Sequence, residues 1–446
     1  ETLHGMGFRD PALAAETVRG WHFGRRAAVQ SARAREVLTE LIPGLLEAFS
    51  GSGDADAALA AFDSALSRMP AAIELFSILR SNTAVRELFG DILGGAPRLA
   101  TTIAARPHVL DAAIDPSLIE SGEHGRDLAL RVGKALAPGD DLEAFLDRAR
   151  YVAQDEMFLI GVRLFSGAFD PGGAAAAYSA LAETIVAAMM GEVTRHFEIE
   201  YGRPPGARAV VVALGKLGSR EMTASSDLDL MLIYDFDEAK PDSVGGARSL
   251  HAVQYYTRLT QRLVSALTAP TRAGRLYEVD MRLRPSGRKG PVATQLSAFT
   301  SYHASEAETW EHMALTRARV VAGDETLARD VDAVIAKALA RKRAPETLRK
   351  DVADMRVLIA QEKGDSDPWD LKLAQGGLLD VEFVAQYLVL RHVARRPEIR
   401  DVATGDILAR ARDLKLLDDA AALIAAHRAL SDVTQLLRRS VAGKFA

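Results

Sequence analysis

The apolar positions of this chain change rhythm several times. Up to about residue 165 they recur at helical spacing, as in Ala27 to Phe49 and Ala57 to Leu66. Breaks fall at Gly51-Ser52-Gly53, Pro70, Gly94-Gly95-Ala96-Pro97 and Pro138-Gly139. Helical spacing resumes from Gly173 to about Tyr201 and stops at Gly202-Arg203-Pro204-Pro205-Gly206. Two short runs rich in Val, Ile and Leu follow, Ala209 to Leu214 and Leu228 to Tyr234, and both read as buried strands. Arg248 to Leu267 is amphipathic at helical spacing and long enough for a crossover. Leu276 to Gly287 alternates strictly, which predicts a third strand. Its apolar face is Tyr277, Val279, Met281 and Leu283, and its polar face is Glu278, Asp280, Arg282 and Arg284. After Pro291 the spacing is helical again to Ala446. The expected fold class is therefore α+β and mostly helical, with a small sheet of a few strands backed by helices. We divide it into a helical region over 1–165, a core over 166–325 and a C-terminal helical bundle over 326–446.

Composition narrows the class. The 446 residues are 48% hydrophobic and 26% charged, the mixture of a globular chain with ample core. With 55 basic and 60 acidic residues the net charge is −5, so no overall positive field draws in nucleic acid, and a polymer substrate is disfavoured. Cysteine is absent, which excludes disulfides and thiolate zinc sites. No apolar run reads as bilayer-spanning and no signal peptide is recognisable, so the expectation is a cytoplasmic protein without membrane partners. The first residue is Glu rather than Met, which leaves open that the chain is part of a longer one.

The chemistry concentrates between the first two strands, in Gly215-Lys216-Leu217-Gly218-Ser219 through Asp227-Leu228-Asp229-Leu230. Gly218 and Ser219 fall where a strand hands over to a short helix, a turn suited to a triphosphate. Asp227 and Asp229 share one face of the second strand, and two carboxylates there repel unless a cation lies between them. A Mg²⁺ pair shared with nucleotide phosphates makes such a pair useful. Asp280 can complete the cluster and accept a proton, while Arg282 or Arg284 can grip phosphate oxygens. Gly287-Arg288-Lys289-Gly290 is a basic loop that can close over a nucleotide or simply connect elements. A Walker A loop is excluded because Leu217 follows Lys216, and a dinucleotide fingerprint is excluded by the glycine spacing. Trp310, Glu311 and His312 read as a packing tryptophan beside a surface Glu-His pair, or as a substrate contact. Asp380 and Glu382 read as acids favoured at a helix N-terminus.

Gly215 to Tyr234, Val279 to Gly290, Ala307-Glu308-Thr309-Trp310-Glu311-His312 to Arg317-Ala318-Arg319-Val320-Val321, and Pro368-Trp369-Asp370-Leu371-Lys372 to Gly376-Gly377-Leu378-Leu379-Asp380-Val381-Glu382-Phe383 together resemble the bacterial glutamine synthetase adenylyltransferase family. The resemblance covers nearly the whole chain. It implies a polymerase β-like nucleotidyltransferase core flanked by helical bundles, and a reaction in which AMP passes from ATP to a tyrosine hydroxyl of glutamine synthetase with release of pyrophosphate. By the same resemblance Asp227, Asp229 and Asp280 bind two Mg²⁺, with Mn²⁺ as an alternative, and Gly218 and Ser219 hold the triphosphate. Glutamine and the PII signal protein are the implied regulators. Members carry an adenylylating and a phosphorolytic, AMP-removing half; only one core is present here, and Leu379-Asp380 before Val381-Glu382-Phe383 is more similar to the adenylylating one. The alternatives are the AMP-removing half, a PII uridylyltransferase, which the lack of any His-Asp dipeptide disfavours, and a catalytically idle nucleotide-sensing module.

Overall fold

A computed structural model describes residues 2–69, 71–105, 109, 125–139 and 141–440. The chain separates into two compact units, one made of Glu1–Glu123, Asp155–Ala174 and Gln435–Ala446, the other of His124–Gln154 and Ala175–Thr434.

The first unit is helical throughout its described residues. Its helices begin where the sequence places short polar side chains. Asp10, Ser31, Asp54 and Asn82 precede Pro11–His22, Ala32–Gly51, Ala55–Arg68 and Thr83–Gly95, and each accepts a backbone N–H from the first turn. Phe62 is fully buried at the centre, with the rings of Trp21, Phe49 and Phe89 packed round it at 5.3, 5.8 and 5.8 Å.

The second unit is built on a mixed five-stranded sheet. β1 (Arg208–Ala213) and β2 (Leu228–Asp235) are antiparallel, with Val211 opposite Leu232. β3 (Val279–Asp280) and β4 (Ala293–Gln295) lie one after the other along the outer edge of β2, both parallel to it. β5 (Arg319–Gly323) pairs antiparallel with the far side of β1. Alternation along β1 and β2 sends Val210, Val212, Met231 and Ile233 to one face, where Phe299, Leu327, Val331 and Leu388 complete a buried core. On the other face Tyr234 stacks on Tyr256 of the crossover helix Ala252–Thr268, which also packs Tyr255 against Phe197 of Pro171–Tyr201. With both faces covered, β2 is a nearly continuous apolar run, as expected.

Four expectations change. The third strand is two residues long, because the Asp280 carboxylate turns back to accept the Arg282 N–H at 2.8 Å and Pro285 and Gly287 continue the turn into a short 3₁₀ helix. β4 and β5 lie in the region read as wholly helical; each is too short, at three and five residues, to show period-two alternation. The helix Pro171–Tyr201 is long and apolar enough to cross a bilayer by composition, but 56% of its most apolar window is buried inside the protein, as in a core helix. Finally, the Glu311-His312 pair is buried and Trp310 is the half-exposed member. Glu311 accepts the Glu308 N–H in a capping box and the Tyr302 hydroxyl at 2.7 Å.

His312 and His303 are both buried, their rings 5.7 Å apart, with His312 Nε2 3.3 Å from the His303 carbonyl. Burial first, then the neighbouring His312 or the nearby Arg343 and Arg341, pushes each ring down to about 4. An unfolded histidine titrates near 6.5, so between those values the folded chain binds fewer protons, and the stability present above pH 6.5 is lost as the pH falls towards 4. Removing one ring isolates its contribution. By chemical denaturation, the stability advantage of the wild type over His312→Gln should shrink by about 1.4 kcal/mol for each pH unit below 6.5; a gap independent of pH would contradict the buried-neutral assignment.

Candidate active site

β1 ends at Ala213 and the chain turns at once into the four-residue helix Gly215–Gly218. The Leu214 N–H donates to the Asp229 carbonyl at 2.9 Å, so this turn and the head of β2 are tied together. Gly215 is required twice over. Its φ is +51°, and a Cβ there would overlap the Asp229 carboxylate. The chain then passes through Arg220 at φ 61° and a tight Thr223–Ser226 turn, in which the Thr223 N–H donates to Ser226 Oγ at 2.9 Å, before delivering Asp227.

Asp227 is exposed, just ahead of β2, while Asp229 is half-buried on the strand. Register places Asp229 beside Asp280 of β3, so the three carboxylates predicted from the sequence come to one corner of the sheet. Their electrostatics differ. Burial, then Asp227 and Asp280, pushes the Asp229 carboxyl up to about 6, with Lys372 and Arg317 pulling the other way. Asp280 moves in the opposite direction. Burial opposes its ionisation, but Arg282 outweighs that with its side chain at 2.5 and 2.6 Å and its N–H at 2.8 Å. Among the described residues, no three His, Asp or Glu side chains converge as a preformed metal cage. The donor set nonetheless suits a hard cation: it offers only carboxylate oxygens, and one of them is left short of positive charge. Mg²⁺ characteristically uses one or two carboxylates and fills its shell with water and substrate phosphate.

The arginines and the turn residues are placed differently from the carboxylates. Arg284 is half-buried and donates to the carbonyls of Met281, Pro291 and Gly290 at 2.6, 2.9 and 3.2 Å, bracing the loop after β3. Arg282 is exposed and paired with Asp280. Gly218 and Ser219 are buried. Their N–H groups donate to Leu214 and Gly215 carbonyls, and the Ser219 hydroxyl donates to Gly215 at 3.1 Å and accepts from Arg317 at 2.7 Å.

Sequence reasoning quoted Gly215, Lys372, Arg317 and Glu382 in its motifs but gave neither them nor Glu221 a role at the site. Arg317 is 6% exposed and pairs with Glu221 at 2.6 Å and with Glu382 at 3.0 Å. The available signal was a charge inside each of two apolar stretches, Arg317 before β5 and Glu382 within Leu378–Leu390, since buried charges occur in pairs.

The fold and this corner define a helical α+β protein with an acidic, oxygen-rich site beside a glycine turn, suited to phosphate chemistry. Residues 86–334, more than half of the chain, match the family model of glutamate-ammonia ligase adenylyltransferase. The chain belongs to that family. It is 50% identical over 390 residues to a protein of Agrobacterium fabrum, covering 87% of this chain and 39% of that one. It is 49% identical over 395 residues to one of Rhizobium meliloti, covering 89% and 40%. A protein of Bradyrhizobium sp. is 44% identical over 447 residues, covering 100% and 45%. Each is named a bifunctional glutamine synthetase adenylyltransferase/adenylyl-removing enzyme. The chain spans less than half the length of these relatives.

Two substitutions test the geometry. At pH 7, above its raised value of about 6, ionised Asp229 costs the metal-free protein stability, on the order of 3 kcal/mol. Asp229→Asn should therefore melt higher than wild type without ligand; a lower melting point would make Asp229 a structural residue. Gly215→Ala should lose at least 1 kcal/mol from the positive φ alone and displace the Asp229 carboxylate, and unchanged denaturation would show that the turn tolerates a side chain.

Proposed function

We propose that this chain transfers AMP from Mg²⁺-ATP to a tyrosine hydroxyl of glutamine synthetase, releasing pyrophosphate, as the adenylylating part of a polymerase β-like enzyme in the cytoplasm. The observation that carries the reading is Asp229, short of compensating charge beside Asp227 and in register with Asp280. Asp227 and Asp229, with Asp280, would hold the cation. When bound, Mg²⁺ would supply charge compensation for the phosphates and favour the phenolate of an acceptor whose free pKa is near 10.

The chain's own residues have separable parts. Arg282 pairs with Asp280 and offsets its charge. Its exposed guanidinium is free to turn to the triphosphate, which would release the Asp280 carboxylate to the cation or to the acceptor proton. Arg284 keeps the loop after β3 in place, so we assign it to positioning more than to phosphate contact. Gly218 and Ser219 shape the turn from within, and any triphosphate contact from this segment falls to atoms other than the Ser219 hydroxyl. Attack of the phenolate oxygen on the α-phosphorus breaks the bond to the β-phosphate oxygen, and pyrophosphate leaves. Leu379-Asp380 favours the adenylylating over the AMP-removing reading. Glutamine and the PII protein as regulators rest on the family resemblance.

The deciding experiment incubates the chain with labelled ATP, Mg²⁺ and glutamine synthetase and locates the label by mass spectrometry. We expect AMP on a tyrosine, with Asp227→Asn and Asp229→Asn each lowering turnover more than about tenfold, about 1.4 kcal/mol of barrier. Phosphate-dependent release of ADP from modified glutamine synthetase would identify the removing activity instead. Mg²⁺-dependent ATP binding without transfer would leave a nucleotide sensor.

A further inference from the structure

Arg317 lies at the centre of a charge network that joins the turn carrying Asp227 to the helices near the C-terminus, all within one compact unit. One guanidinium nitrogen donates to Ser219 Oγ at 2.7 Å and Glu221 Oε2 at 2.6 Å, at the end of the turn that Gly215 begins. The other reaches Glu382 Oε2 at 3.0 Å, in the helix Leu378–His392. Glu221 is engaged a second time. It accepts the Thr404 N–H at 3.0 Å and the Thr404 hydroxyl at 3.2 Å, at the start of the helix Thr404–Asp413, and His427 Nε2 of Ala420–Ser440 is 3.6 Å away. The backbone closes the same joint, because the Arg317 carbonyl fills the space a Cβ on Gly218 would need. Arg319 adds a second brace, donating to the Gly218 and Leu217 carbonyls at 3.2 Å each while paired with Glu183.

This arrangement is poorly suited to stability for its own sake. A buried ion pair contributes little net stability compared with apolar residues of similar volume, and here the Arg317 Nε has no hydrogen-bond partner among the described residues. What the planar, forked guanidinium does provide is direction, fixing two carboxylates and a hydroxyl from two remote segments at set angles. We propose that Arg317, with Glu221 and Glu382, is a positioning relay: the C-terminal helices hold the Ser219–Asp227 turn, and so the carboxylates at the head of β2, in the geometry that phosphoryl transfer requires. It rests on reading Asp227 and Asp229 as the transfer site. The relay acts through the turn, to which Arg317 and Glu221 are bound, so its loss should misalign attack more than it weakens binding; misplacement of reacting groups by about 1 Å can cost about a hundredfold in rate.

The test uses the full chain with glutamine synthetase, ATP and Mg²⁺, and compares Glu382→Gln, Glu221→Gln, Arg317→Lys and Arg317→Met with wild type. The relay predicts at least a tenfold lower kcat for the two Glu→Gln variants, a KM for ATP within threefold of wild type, and more turnover retained by Arg317→Lys than by Arg317→Met. Hydrogen exchange should quicken across 219–227 in each variant. A folded Glu382→Gln with kcat within twofold of wild type and unchanged exchange there overturns the proposal. If Glu382→Gln does not melt cooperatively, Thr404→Val removes only one hydroxyl partner of Glu221; it should still quicken exchange across 219–227, and unchanged exchange counts against the relay. Wild type that transfers no AMP refutes the site reading, while the exchange comparison still judges the relay separately.

Discussion

Crowding of negative charge at the head of β2 is the constraint around which the second unit is arranged. Asp229 is half-buried, has Asp227 two residues before it and is paired in register with Asp280. A carboxylate in that position resists ionisation, and the structure relieves the strain unevenly. Arg282 compensates Asp280, and Lys372 and Arg317 act on Asp229 from a distance. The remaining deficit falls on the one group whose backbone is tied to the preceding turn through Leu214. A site that costs the empty protein stability and suits a bound cation is what a functional constellation looks like when judged by its energetics.

Everything around that corner restricts movement. The sheet buries both faces of β2, so a one-residue shift in register would exchange the side chains fitted to its two different packed faces. Gly215 lets the β1 turn approach Asp229 closely, and Gly218 lets it approach the Arg317 carbonyl. Arginines are the recurring connectors: Arg317 and Arg319 fasten the turn, Arg284 fastens the loop after β3, and Arg356 pairs with Asp380 and donates to the Leu373 carbonyl at 2.9 Å, holding the start of Leu378–His392. The helices after β5 thus belong mechanically to the site, although they contribute none of the three clustered carboxylates.

Membership of the adenylyltransferase family and the acidic corner bear on each other. The family match covers residues 86–334 and therefore includes β1, β2, β3 and their carboxylates, but stops short of Glu382 and Thr404. The helices that carry those two residues are nonetheless within the segment shared with the Bradyrhizobium relative, which spans the whole chain.

Local patterns determined a good deal. The two long strands and the crossover helix could be read from period-two and period-3.6 spacing, because each depends on residues within a few positions of one another. The Asp227 and Asp229 pair was legible for the same reason, and Asp280 by the alternation around it. Only the tertiary structure decided the rest. It cut the third strand to Val279–Asp280, since the alternation of apolar side chains is indifferent to whether the Asp280 carboxylate captures the next turn. It added β4 and β5, which exist because β2 and β1 offer them an edge. It buried Glu311 and His312, which one of the two sequence readings had made a surface pair, and gave Arg317 its partners at Glu221 and Glu382, 96 residues before it and 65 after. Spacing along a sequence carries no information about such pairings: their energy depends on burial and on distances that exist only once remote segments have packed.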